Sequence, residues 1–359
     1  MASDSPDIRR PGDATADWLT RVLQAGGVDA VVYGFTAKNV GTGQIGDSVR
    51  FKLDYARGGD DAPASIVGKF PAAGDMSRAT GVALGNYARE VNFYRHLAAS
   101  ALIRTPRCYF ADIDDATHEF VLMMEDLAPA AQGDQLTGVS LDTARLVLEE
   151  SAKLHASHWG DDSLDDLPWI QGSKHATSPI TQEMVAAIWG QFRERYGARV
   201  SPLAVEIGEA ISGTWGRENT RVGPRCLMHN DFRPDNMMFA TPAGGHKVTT
   251  LDWQTAGYGV GAADVAYFLG GAITTDERRA HEKALLDGYY AKLCALGVSG
   301  YGRGDLDADY AAGTFQAFLT AFFAAMVVTQ TERGDDMFFV MLNGAAAQID
   351  DVGALALLV

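Results

Sequence analysis

The 359-residue sequence predicts an α+β fold in two lobes, a small antiparallel-sheet N-lobe with one main helix and a larger, mainly helical C-lobe. Three observations predict it. Strand-like alternation of apolar and polar residues dominates the stretch from Val31 to Phe70. The character then changes after Glu125-Asp126-Leu127-Ala128-Pro129. Beyond it, helical periodicity fills most of the chain, with only two short strand-like runs. These features divide the chain into an N-terminal lobe over 1–125 and a C-terminal lobe over 126–359.

The elements follow in order. Residues 13–25 place Trp18, Leu19, Val22 and Leu23 on one helical face, and Gly26-Gly27 supply the stop. Val49, Phe51, Leu53 and Tyr55 alternate with polar residues as a half-buried strand does, and Ile66-Val67 leads to Lys69. A helix is predicted over 78–99, carrying Tyr87, Val91, Phe93 and Leu97, with strands at 107–112 and 119–124. Helices follow at 141–158, 180–196 and 201–219, then strands at 237–240 and 247–251, then helices to the end. Ala311 to Val328 carries no charge, yet Gly313, Thr314, Gln316 and Thr320 dilute it. It reads as the core helix of a large lobe and not as a membrane span.

Composition narrows the function classes. The net charge of −16 argues against nucleic acid, whose affinity comes from Lys and Arg neutralising phosphates. Cys108, Cys226 and Cys294 lie far apart with no C-x-x-C spacing, so neither a disulfide framework nor a zinc site is indicated. With the polar N-terminus, this fits the expectation of a protein of the reducing cytoplasm. Oligomeric state is not legible.

The chemistry-bearing residues form a series. His229-Asn230-Asp231-Phe232-Arg233-Pro234-Asp235-Asn236 has the spacing H-x-D-x-x-x-x-N, and Asp252 ends a later apolar run. Phosphoryl transfer from a nucleotide needs such a set: a carboxylate to accept the proton of the attacking hydroxyl, and an amide oxygen and second carboxylate for Mg²⁺. Asp231 is the candidate base, and Asn236 and Asp252 are the candidate catalytic metal ligands. His229 is expected to brace the loop, while Arg233 is read either as a phosphate or substrate contact or as solvated. Gly41-x-Gly43-x-x-Gly46, followed by strand-like alternation from Asp47, suits a hairpin laid over phosphates, with Ser48 at its exit. The dinucleotide-site reading of the same glycines requires a helix at 47–57 instead. Lys69 is expected to reach nucleotide phosphates with Glu90 holding its ammonium. The strand ending at Met124, Glu125 and Asp126 offers backbone groups for an adenine ring. His155 and His158 have a metal-pair spacing but no nearby third ligand, so they are read as structural.

Together these residues resemble the aminoglycoside phosphotransferase and choline kinase-like superfamily, and within it the ecdysteroid-kinase-like branch. The resemblance is carried by Gly41 to Ser48, Lys69, Glu90, Met124 to Leu127, Leu154 to Trp159, His229 to Asn236, Leu251 to Gln254 and Asp264 to Phe268. It implies a protein-kinase-like fold, ATP with Mg²⁺, and phosphorylation of a hydroxyl on a small molecule, with Asp264 bracing the catalytic loop. Asp252-Trp253-Gln254 stands where a protein kinase has D-F-G, and only eleven residues separate Asp252 from Asp264. That leaves no activation loop to dock a polypeptide, so the acceptor is expected to be small, in a cleft formed by residues 180–220 and 305–350. Phe315, Phe318, Phe322, Phe323 and Met326 serve either as core or as the lining of an apolar acceptor pocket. The alternative is a nucleotide- or ligand-binding protein of the same fold without catalysis.

Overall fold

A computed structural model describes residues 6–41, 45–176, 181–214, 223–328 and 330–358. The chain forms two compact units, one made of Met1–Ser100, Thr105–Ala130 and Thr250–Thr255, the other of Ala101–Arg104, Ala131–Thr249 and Ala256–Val359.

In the first unit, α1 (Ala16–Ala25) starts at Thr15, whose side chain accepts from the Trp18 N–H. Strands β1 (Val31–Val40), β2 (Gly46–Arg57) and β3 (Ser65–Pro71) follow, then helices α2 (Asp75–Ala83) and α3 (Asn86–His96), then β4 (Cys108–Ile113) and β5 (Phe120–Glu125). The sheet order is β1-β2-β3-β5-β4, with every pairing antiparallel. Its core joins Trp18, Leu19, Val22 and Leu23 of α1 to Val49, Phe51, Ile66, Phe70, Val121 and Met123. One helix was predicted over 78–99, but the structure has two. Gly85 sits at φ +68, the left-handed conformation that glycine adopts without steric cost, and it ends α2 and reorients the chain into α3.

The second unit opens with β6 (Ala131–Gln132), α4 (Leu141–Ser157), α5 (Gln182–Tyr196) and α6 (Pro202–Thr214). The part of the predicted 201–219 helix beyond residue 214 lies outside the described residues. Two three-residue strands, β7 (Cys226–Met228) and β10 (Gly257–Gly259), pair antiparallel on either side of β8 (Met237–Thr241) and β9 (Gly244–Thr250). Helices α7 (Ala262–Ala272), α8 (Thr275–Ala295), α9 (Arg303–Gly313), α10 (Phe315–Val327) and α11 (Glu332–Asp351) complete the unit. The charge-free run from Ala311 is split, its first three residues ending α9 at Gly313 and most of the rest forming α10, with Phe315, Phe318 and Phe322 fully buried against Trp189, Phe192 and α11. Arg303–Val327 is long and apolar enough to cross a membrane, yet 56% of its most apolar window is buried inside the protein, as in a core helix. The α+β class, with an antiparallel-sheet first unit and a helical second one, is borne out.

Candidate active site

In the first unit, three residues far apart in sequence meet. Lys69 Nζ lies 2.7 Å from Glu90 Oε2 and 2.8 Å from Asp252 Oδ1. The Glu90 partnership was legible in the sequence, whereas the one with Asp252 was not. Burial opposes the Lys69 charge, but the Asp252 and Glu90 carboxylates outweigh it and raise the ammonium above its ordinary value. Glu90 is raised by burial and by the second carboxylate on the shared ammonium, against the pull of Lys69. Asp252 also accepts from Gln254 Nε2 at 3.2 Å and sits at φ +62, which Asp and Asn tolerate better than other non-glycine residues. The segment is anchored to α3, where Trp253 stacks on Phe93 with centroids 3.9 Å apart and Arg89 donates to the Gln254 carbonyl at 2.7 Å. Burial lowers the Arg89 guanidinium to about 10.

The glycine hairpin joins β1 to β2. Gly41 is at φ +76, and a Cβ on Gly46 would lie 3.1 Å from the Phe70 carbonyl and 3.3 Å from Lys69 Cε. Gly43 lies outside the described residues. Ser48 pairs across the sheet with Lys69. Residues 46–57 form a strand, so the helix required by a dinucleotide site is not there. Met124 pairs with Val67, and the Glu125 N–H is taken by the Arg107 carbonyl at 2.8 Å. The Asp126 carboxylate ties the connector to the sheet through Arg50 Nε at 2.6 Å and Ser65 Oγ at 2.5 Å.

In the second unit, the loop after β7 carries Asp231. Its Oδ1 accepts from the Tyr267 hydroxyl at 2.7 Å and Arg233 Nε at 3.0 Å, and its Oδ2 accepts from Asn236 Nδ2 at 2.7 Å. Burial would raise this carboxyl, but the Arg233 charge and the Tyr267, His229 and Asn236 contacts prevail and hold it below the ordinary carboxylate value. Burial and the Asp231 charge push the Tyr267 hydroxyl well up, so it stays protonated and donates. Arg233 also pairs with Asp235, so it is neither solvated nor uncommitted. Asn236 is buried, and its Nδ2 also donates to the Asp231 carbonyl at 2.8 Å. The amide thereby turns its oxygen away from Asp231.

Asp264, at the first turn of α7, is fully buried. Its two oxygens accept the backbone N–H groups of His229 at 2.7 Å and Asn230 at 2.8 Å, and His155 Nε2 lies 3.3 Å away. Asn230 is thereby held at φ +65. His155 Nδ1 meets the Tyr289 hydroxyl at 2.8 Å, while His158 turns to Asp161 at 2.9 Å. The two histidines thus take separate partners. Among the described residues, no group of three or more His, Cys, Asp or Glu is arranged to hold a metal ion.

A family model for the phosphotransferase enzyme family, APH, matches residues 55–305. The chain belongs to this family. Two solved structures are similar to this phosphotransferase in fold. One is the microcompartment-associated aminopropanol kinase, 13% identical, covering 93% of this chain and 98% of its own with a TM-score of 0.54. The other is the ethanolamine kinase of Plasmodium vivax, 12% identical, covering 94% and 88% with a TM-score of 0.50. No curated protein matches the sequence.

Sequence reasoning missed Tyr267 as a partner of Asp231. The signal was available, because Asp264 and Tyr267 stand three apart on one face of α7 and both reach the Asp231 loop.

Proposed function

We propose that this phosphotransferase moves the γ-phosphate of ATP to a hydroxyl of a small molecule, with Mg²⁺ as cofactor. Asp231 is the base: the acceptor oxygen attacks γ-phosphorus, the bond from γ-phosphorus to the bridging oxygen breaks, ADP leaves and Asp231 takes the hydroxyl proton. Its low pKa keeps it ionised near neutrality, and its three donors fix the carboxylate in one orientation. Asn236 and Asp252 each offer oxygen of the kind that Mg²⁺ prefers, and the ion, when bound, neutralises phosphate charge. Lys69 neutralises nucleotide phosphates, with Glu90 orienting its ammonium. The hairpin around Gly41, Gly43, Gly46 and Ser48 covers phosphates, and Met124, Glu125 and Asp126 receive the adenine. In this reading 1–125 is the nucleotide lobe and 126–359 the catalytic and acceptor lobe, with Thr250–Thr255 contributing Asp252.

The observation that supports this best is Lys69 held between Glu90 and Asp252. A partly buried ammonium shared by two carboxylates suits a site whose partners change when polyphosphate and a divalent cation arrive. A thermal-shift series with ATP, GTP and NAD, each with and without Mg²⁺, tests it. A ligand at a hundred times its Kd stabilises the folded state by about 2.7 kcal/mol. A Mg²⁺-dependent rise with ATP supports the proposal, and a rise with NAD alone, or with no nucleotide, overturns it. Asp231→Ala is then expected to abolish ADP release in the presence of an acceptor while leaving the ATP shift in place.

A further inference from the structure

We infer that Tyr87 is a positioning residue for the nucleotide phosphates, and that through its hydroxyl α3 holds the foot of the glycine hairpin in register with Lys69. The inference rests on the reading of this unit as the nucleotide lobe. Tyr87, Glu90 and Phe93 stand three apart on α3 and so form one stripe along the helix. Each reaches a different part of the site. Glu90 holds the Lys69 ammonium, and Phe93 stacks on Trp253, the neighbour of Asp252. The Tyr87 hydroxyl donates to the Ile45 carbonyl at 2.6 Å and accepts the Ala72 N–H at 3.3 Å.

Ile45 and Ala72 flank the first pair of the β2–β3 ladder, Gly46 opposite Pro71. One buried tyrosine thus bridges the foot of the hairpin and the exit of the strand that carries Lys69. Gly46 lies so near this lysine that a Cβ on it would sit 3.3 Å from Lys69 Cε. A shift of Ile45 therefore changes where the hairpin backbone stands relative to the ammonium. The ring itself is wedged in place. On one side it packs on Phe120, with centroids 4.7 Å apart. On the other lies Gly81 of α2, where an added Cβ would come within 2.6 Å of Tyr87 Cζ and 2.7 Å of Ile45 Cγ2. Burial pushes the hydroxyl above its ordinary value, so it stays protonated and keeps donating. A phenylalanine would fill the same space, so the hydroxyl contributes through its two backbone partners and not through volume.

Ligand-observed NMR titrations of the full chain with Mg²⁺–ATP, Mg²⁺–ADP and adenosine test this. Adenosine carries base and ribose but no phosphate, so a residue that places phosphate-binding groups leaves its affinity alone. Tyr87→Phe should weaken ATP about fivefold, the worth of one neutral hydrogen bond, weaken ADP less, and leave adenosine unchanged. Gly81→Ala crowds the ring and Ile45 with the hydroxyl still present, and it should reproduce that selective loss. Phe120→Leu loosens the other side of the ring, so it should lower the melting temperature at an unchanged ratio of ATP to adenosine affinity. Equal losses for ATP and adenosine in Tyr87→Phe, or no loss for either, overturn the inference and assign Tyr87 to the fold alone. Wild-type protein that binds none of the three ligands overturns the nucleotide reading itself, and this inference with it.

Discussion

Asp264→Asn removes one negative charge and one acceptor from the most buried carboxylate of the second unit, at nearly constant volume. In the native protein its two oxygens accept adjacent backbone N–H groups at 2.7 and 2.8 Å. An asparagine keeps one of these contacts as a neutral hydrogen bond and turns an NH₂ towards the other N–H. A hydrogen bond to a charged group contributes about 1.5–3 kcal/mol, and stranding a buried donor costs about 1–3 kcal/mol. We expect a net loss of about 3 kcal/mol, or a melting point lower by about 6–12 °C for a unit of this size. Differential scanning calorimetry of Asp264→Asn beside Asp142→Asn measures it. Asp142 is 91% exposed in a surface pair with Arg145, so its variant should stay within about 0.5 kcal/mol of wild type. The loop held by Asp264 also carries Asp231, so turnover should fall further than ATP binding does. An Asp264→Asn protein melting within a degree of wild type would refute the bracing role.

Lys69→Met strands two carboxylates, and breaking a buried pair from one side costs about 3–5 kcal/mol. Adding Glu90→Leu should restore part of that stability in urea melts, without restoring ADP release. Arg233→Gln removes the charge that most depresses Asp231, so the acid limb of the rate profile should move to higher pH. An unmoved limb would exclude Asp231 as the group titrating there. Asp126 is held below its ordinary value by Arg50 and Ser65 against burial, so its stabilisation is present above its unfolded value and lost as pH falls through the folded one. The stability deficit of Asp126→Asn should therefore be full at pH 7 and shrink as pH falls below about 4, the unfolded carboxylate value.

The elements that were legible in the sequence are those whose signal is local. The strand alternation from Val49 to Tyr55, the α1 stripe of Trp18, Leu19, Val22 and Leu23, and the charge-free α10 all report burial through periodicity, and each is where it was expected. Strands β7 and β10 were missed because three residues are too few to show a period. The α2–α3 break was missed because an apolar pattern continues across Gly85, and only its backbone conformation ends the helix.

What the sequence determined by itself was the inventory of reactive groups and their order: Lys69, Glu90, Asp231, Asn236, Asp252 and Asp264. Residue type and spacing carry that information without any tertiary contact. Only the folded chain decided which groups share a proton, a charge or a hydrogen bond. Lys69 and Asp252 are separated by more than half the chain, yet they meet at 2.8 Å. Tyr267 reached Asp231 only when α7 packed beneath its loop, and Arg233 was drawn from solvent into two ion pairs. These contacts depend on burial, where water no longer competes for the groups and long side chains must find partners, and a linear pattern does not encode which partner that is.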